Sequence, residues 1–201
     1  SLSAVGASLG LKVKIVMPSN MSEERKSMMR LFGAEIVDAP PSDFKAAISM
    51  RNDLIRDNSK HWSPMQFEND LNIECHRNKT GPEIIRQMKR LGSIDAFFSG
   101  AGTGGTIMGV KAAFEDAKES ARCMLVVPEE PSDVHGIQGI GDGGDYLVDR
   151  DRLSGVHTVK TLDAVNRAKQ FALSTGVLIG ISAGANLSLI HISEPTRLCR
   201  I

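Results

Sequence analysis

The segment Ser99-Gly100-Ala101-Gly102-Thr103-Gly104-Gly105-Thr106 constrains this chain more than any other. It follows a short apolar run, Asp95-Ala96-Phe97-Phe98, and precedes a helix-like stretch from Ile107 to Ala117. A strand that runs through a glycine-rich turn straight into a helix start favours an anion. Glycine tolerates positive φ and carries no Cβ, so backbone N–H groups can turn inward. The first turn of the helix adds N–H groups without intrahelical partners and a partial positive charge. The threonine hydroxyls are further donors. The segment is therefore expected to hold a phosphate.

Three readings of the turn stand side by side. Gly100-x-Gly102-x-x-Gly105 fits the dinucleotide fingerprint, a weak signal on its own. That fingerprint wants an acidic residue about 20 positions further on, at the end of a second strand. Glu129 and Glu130 end the run Cys123–Val127, but later than that and behind Pro128. Gly102–Thr106 alone makes a closed cup for one phosphomonoester. A glycine loop without a ligand is the third reading.

Composition narrows the partners. A chain of 201 residues holds one or two domains with a real core. Its 24 basic and 24 acidic side chains cancel, aromatics are sparse and no basic stripe is visible, so nucleic-acid binding lacks its electrostatic footprint. No apolar run is long enough to span a bilayer and no signal peptide opens the chain. Cys75, Cys123 and Cys199 lie far apart, with neither CxxC nor zinc spacing. They read as reduced thiols of a cytoplasmic protein, with no metal site.

Along the chain, strands alternate with helices. Lys12–Pro18 reads as a strand. Ser22 then stands as an N-cap with Glu23 and Glu24 in the first helical turn, and Gly33 stops that helix. Ala34–Ala39 is a second strand, followed by an amphipathic helix marked by Phe44, Ala47, Ile48, Leu54 and Ile55. His61 to Thr80 is polar and loop-like, and Gly81-Pro82-Glu83 opens another helix. Ala96–Ser99, Cys123–Val127, Val156–Val159 and Val177–Ile181 are the remaining strands. Thr161 can cap a helix that Gly176 stops, and Gly136–Gly144 is too glycine-rich for regular structure. The pattern predicts an α/β fold with largely parallel sheets in two lobes, joined through Ser63–Gly81.

Several motifs carry a family resemblance. Met17-Pro18-Ser19-Asn20-Met21-Ser22-Glu23-Glu24-Arg25 and Leu31-Phe32-Gly33-Ala34-Glu35 resemble segments of the cysteine synthases. So do Gln66-Phe67-Glu68-Asn69, His76 with Thr80-Gly81-Pro82-Glu83-Ile84, and the GTGGT of Gly102–Thr106. Ile137-Gln138-Gly139-Ile140-Gly141 and Gly180-Ile181-Ser182-Ala183-Gly184-Ala185 complete the series, in family order. The chain is thus similar to pyridoxal-phosphate (PLP) enzymes of the tryptophan-synthase-β fold, fold type II, in the cysteine synthase and cystathionine β-synthase branch.

The resemblance implies a division of labour. Gly102, Thr103, Gly104, Gly105 and Thr106 would hold the cofactor phosphate. Ser182 would hydrogen-bond the pyridine nitrogen, although on spacing alone it reads as a helix N-cap. Gln66 would face the substrate carboxylate and Gly141 would line the mouth of the site. His76 reads as a helix-entry or packing residue. The implied activity is β-replacement, forming L-cysteine from O-acetylserine or a related activated serine and sulfide, in a homodimer. A cystathionine β-synthase-like enzyme is the near alternative, and a nucleotide-binding oxidoreductase using Gly100, Gly102 and Gly105 the distant one. The sequence departs from the family at Asp142-Gly143-Gly144-Asp145-Tyr146, beside the mouth of the site.

The resemblance also implies lobes at residues 1–80 and 81–186, the latter binding the phosphate, and a chain truncated at both ends. The lysine that forms the Schiff base belongs to a segment upstream of Ser1 in the family, and no lysine here sits in a matching motif. No catalytic residue is therefore assigned, and the chain by itself is expected to be inactive. Residues 187–201, beginning Leu187-Ser188-Leu189-Ile190-His191-Ile192, resemble the in-frame translation of a transposase adapter, and are expected to be non-native.

Overall fold

Parallel neighbours cannot be joined by a tight turn, so an α/β chain that pairs its strands in parallel must cross over between them. The structure, a computed structural model, describes residues 1–131, 136–137 and 144–193. Its strands pair in parallel in two sheets. One holds β1 (Lys14–Pro18) and β2 (Glu35–Ala39); the other holds β3 (Ala96–Gly100), β4 (Arg122–Pro128) and β5 (Gly155–Val159), in that order. The chain divides into two compact units, Ser1–Ser63 and Pro64–Ile201. The division falls at Ser63/Pro64, before the 80/81 boundary suggested by sequence, and the polar stretch that follows belongs to the second unit.

In the first unit, α1 (Leu2–Ser8), α2 (Glu23–Leu31) and α3 (Phe44–Asp57) accompany β1 and β2, with α2 as the crossover. Lys14 lies opposite Glu35 in the ladder and pairs with it at 2.9 Å. Lys26 is buried, which an ammonium tolerates only with partners. It donates to the Ser19 carbonyl at 2.8 Å and to the Asp38 carboxylate at 2.9 Å. Ser22 occupies the N-cap position of α2 without a side-chain cap bond, whereas Asp43 caps α3 by accepting from the Ala46 N–H at 2.8 Å.

The second unit is organised around α6 (Gly105–Asp116), the crossover between β3 and β4. Ile107, Met108, Val110, Ala112, Ala113 and Phe114 are all buried, so this helix is apolar nearly all round. Alternation along β4 divides the core. Cys123 and Leu125 pack with α6, whereas Val126 packs with Ile137, Val159 and the helices α7 (Thr161–Thr175) and α8 (Ile181–Ser193). Phe114 meets Phe97 edge to face at 6.1 Å between ring centroids. Burial pushes the Cys123 thiol pKa up.

Two segments differ from their sequence expectations. The polar stretch before Gly81 is helical: α4 (Leu71–Cys75) passes through a π turn, His76–Thr80, into α5 (Gly81–Met88). Tertiary contact overrides composition here. Arg77 forms a bidentate pair with Asp116 at 2.6 and 2.7 Å, and Gly81 packs so closely on α6 that a Cβ would run into the Ala113 methyl. The Gly81 N–H reaches the His76 carbonyl, the i→i+5 bond of a π turn, ahead of Pro82, which has no N–H to give. Val177–Gly180 forms no strand, and Leu178 is 90% exposed. A short apolar run cannot be assigned by periodicity alone. Helix α8 runs across residue 186 to Ser193, so the backbone carries no mark of the boundary expected there.

Candidate functional site

The cup opens where β3 ends. Gly100 closes the strand, and Gly104, at φ +93°, is the N-cap of α6. Only glycine adopts that conformation without strain. A Cβ on Gly104 would lie 2.6 Å from Val148 Cγ2, and one on Gly105 would run into the Asn72 amide. The two glycines let neighbouring segments close in around the first turn of α6, whose opening amides have no partners within the helix. Gly104 and Gly105 are buried, Thr103 and Thr106 half-buried, and Gly102 exposed.

Asn72 organises the surroundings. Its amide nitrogen donates to the Gln66 carbonyl at 3.0 Å and to Thr103 Oγ1 at 2.9 Å. Thr103 Oγ1 also accepts from the Gly105 N–H at 3.3 Å. With both acceptor positions taken, the Thr103 hydroxyl keeps its own proton to donate. The Gln66 side chain is exposed, on the loop that Asn72 ties to the cup. The 146–148 segment closes the other side: the Leu147 N–H donates to the Thr103 carbonyl at 3.1 Å, and Tyr146 meets Phe67 at 4.5 Å between centroids.

Ser182 is half-buried in the first turn of α8. The first helical bond runs from the Gly184 N–H to the Gly180 carbonyl, so Ser182 is inside the helix rather than its N-cap. One turn on, Asn186 Oδ1 accepts the Gly100 N–H at 2.9 Å. Positions 182 and 186 share a helix face. That bond therefore holds the Ser182 face of α8 against the end of β3 from which the cup springs. Ligands of open parallel sheets bind at these carboxyl ends.

Behind the cup, Thr106 Oγ1 lies 3.1 Å from His76 Nε2, and His76 Nδ1 lies 2.8 Å from Thr80 Oγ1. No aspartate or glutamate occurs between Asp95 and Glu115, so the cup carries no carboxylate of its own. Glu130, the candidate ribose ligand of a dinucleotide site, instead accepts from the Thr161 N–H at 2.9 Å and from the Thr161 hydroxyl at 3.1 Å, at the start of α7. Glu129 faces Lys160 at 3.8 Å. Gly141 lies outside the described residues. Asn72, His76 and Val148 had no site reading from sequence. Only His76 stood in a quoted motif, and polar residues in a loop-like stretch give no sign of which neighbour they serve. Asn186 follows directly on the GISAGA match.

A sequence profile of pyridoxal-phosphate-dependent enzymes matches residues 1–198, and the chain belongs to that family. It is 36% identical over 196 residues to cysteine synthase B of Campylobacter jejuni subsp. jejuni serotype O:2, covering 93% of this chain and 64% of the relative. A hydrogen sulfide-producing enzyme from Fusobacterium nucleatum superposes with a TM-score of 0.86 at 36% identity, over 95% of this chain and 61% of that one. An O-ureido-L-serine synthase does so with a TM-score of 0.85 at 26% identity, over 96% and 64%. The chain spans 62–64% of the length of the curated relatives it matches. The α/β fold with parallel sheets flanked by helices is the fold of these enzymes. No helix among the described residues is long and apolar enough to cross a membrane.

Proposed function

We propose that these residues belong to a PLP-dependent β-replacement enzyme forming L-cysteine from O-acetylserine, or a related activated serine, and sulfide. The cup carries this reading. A left-handed glycine opens a buried helix, two threonines flank it, and the stretch between Asp95 and Glu115 contains no acidic residue. This donor set fits a phosphate monoester dianion. Likeness to cysteine synthases supports the substrate class.

When bound, PLP supplies an electron sink for negative charge at the substrate Cα. The chain's own residues bind and orient. Gly102–Thr106 would take the phosphate through the Thr103 and Thr106 hydroxyls and amides of the first turn of α6. Ser182 would offer the pyridine nitrogen a neutral hydroxyl, which does not favour ring protonation as an aspartate there would. On the family resemblance, Gln66 would face the substrate carboxylate. No lysine here is assigned the Schiff base or the Cα proton, so the 201 residues alone do not turn over. The whole protein acts in the cytoplasm as a homodimer, a reading that rests on the family resemblance and on cysteines without disulfide spacing.

The test expresses the longest reading frame containing these residues beside the 201-residue chain, and assays sulfide-dependent L-cysteine release from O-acetylserine. The longer protein is expected to be active and the chain silent. Sulfide-dependent turnover by the chain would overturn the assignment of no catalytic lysine. A longer protein that binds PLP yet makes no cysteine would overturn the substrate class.

A further inference from the structure

The hydroxyl of Thr106 has one proton, and where that proton points is decided outside the cup. Both ring nitrogens of His76 face hydroxyls, Nε2 to Thr106 at 3.1 Å and Nδ1 to Thr80 at 2.8 Å. A neutral imidazole carries one N–H, so two hydrogen-bond directions are available. In one, Thr106 donates to Nε2 and the Nδ1–H donates to Thr80. The cup then meets only the lone pairs of Thr106, which repel an anion. In the other, Thr80 donates to Nδ1 and the Nε2–H donates to Thr106. The Thr106 proton is then free to point into the cup.

The backbone holds His76 in position for this task. It is the first residue of the π turn, and its carbonyl accepts the Gly81 N–H. On α6, Gly109 leaves a notch behind it: a Cβ there would come within 2.5 Å of the His76 Cβ and of the Ile73 carbonyl oxygen. The π turn therefore rests directly on the helix that carries Thr106, and the ring has little freedom to leave the hydroxyl.

We propose that His76 is a positioning residue for the anion site, donating its Nε2–H to Thr106 so that the Thr106 hydroxyl donates to the bound phosphate, with Thr80 fixing the tautomer from the far side. The inference rests on the reading of Gly102–Thr106 as a phosphate cup. It assigns His76 no contact with substrate and no proton transfer in the reaction.

The probe is pyridoxine 5′-phosphate, which has the phosphate but no aldehyde to react with lysines. It is titrated into the full 201-residue chain labelled with 15N-histidine, and His76 is assigned by comparison with His76→Gln. Two-bond 1H–15N correlations distinguish the two neutral tautomers and the imidazolium. With binding read from the 31P resonance, His76 of the bound chain is expected in the Nε2–H form, with Nδ1 as the acceptor. His76→Gln, whose amide can donate to Thr106, is expected to keep affinity within about threefold, and His76→Phe to lose roughly tenfold or more at unchanged unfolding temperature. A 31P resonance that never shifts overturns the cup and this inference with it. A 31P shift with His76 in the Nδ1–H form or as the imidazolium overturns the inference alone. So does phosphate affinity in a folded His76→Phe protein equal to that of the parent.

Discussion

Gly104 combines two demands that no other residue type meets together. Its φ of +93° costs a side-chain-bearing residue about 1–3 kcal/mol, and a Cβ would press on Val148. Gly104→Ala is therefore expected to lower the urea midpoint. Gly104→Asp adds a carboxylate beside the phosphate and is expected to abolish cofactor-phosphate retention through dialysis, whereas Gly104→Ala keeps part of it. Full retention by a folded Gly104→Asp protein would remove the phosphate from the cup. Ser182 gives a second residue-scale test, because it lies inside α8 and is not its cap. Ser182→Ala should stay near wild type in melting temperature and bind PLP nearly as well, since one neutral hydrogen bond contributes only about 0.5–1.5 kcal/mol net. Ser182→Asp in the longer protein should change the cofactor's absorption spectrum and slow β-replacement. If Asp behaves as wild type and only Ala is destabilised, Ser182 is structural.

At the scale of elements, strand and helix order was legible because period and punctuation agree. β1, β2, β3, β4 and β5 fall within two residues of the runs read from sequence, and Gly33 and Gly176 end α2 and α7 with positive φ. The π turn was not legible, because Arg77 and His76 find partners on α6, residues far away in sequence. The same helix gives a pH prediction on its exposed edge. Its Glu115 carboxyl is held below the ordinary range first by the Lys111 hydrogen bond, then by the charges of Lys111 and Arg152, against partial desolvation. A depressed folded-state pKa stabilises the fold above the unfolded value, and that stability is lost as pH falls through the folded value. Glu115→Gln is expected to lower stability at neutral pH by about 0.3–1 kcal/mol, a difference that shrinks as pH falls through the folded-state pKa. Urea midpoints followed from neutral into acidic pH check this; a loss that does not change with pH would assign the effect to packing.

At the scale of the whole molecule, the glycine loop alone left three readings open, two ligands and none, and the ordered motifs narrowed them to one family. The structure adds what motifs cannot express. Asn72 ties the Gln66 loop to the cup, Asn186 fixes the Ser182 face of α8 to the end of β3, and Glu130 is committed to Thr161. These are side-chain bonds between residues distant in sequence, and neither periodicity nor composition encodes them.

Everything proposed for the site depends on Gly102–Thr106 binding the phosphate of PLP. Calorimetric titration of the 201-residue chain with pyridoxine 5′-phosphate and with pyridoxine tests it most directly, since the two differ only in the phosphate. The account predicts that the phosphate ester binds roughly tenfold or more tightly than the alcohol, that Gly104→Asp erases the difference, and that NADH does not compete. Equal binding of ester and alcohol, or displacement of the ester by NADH, would contradict it.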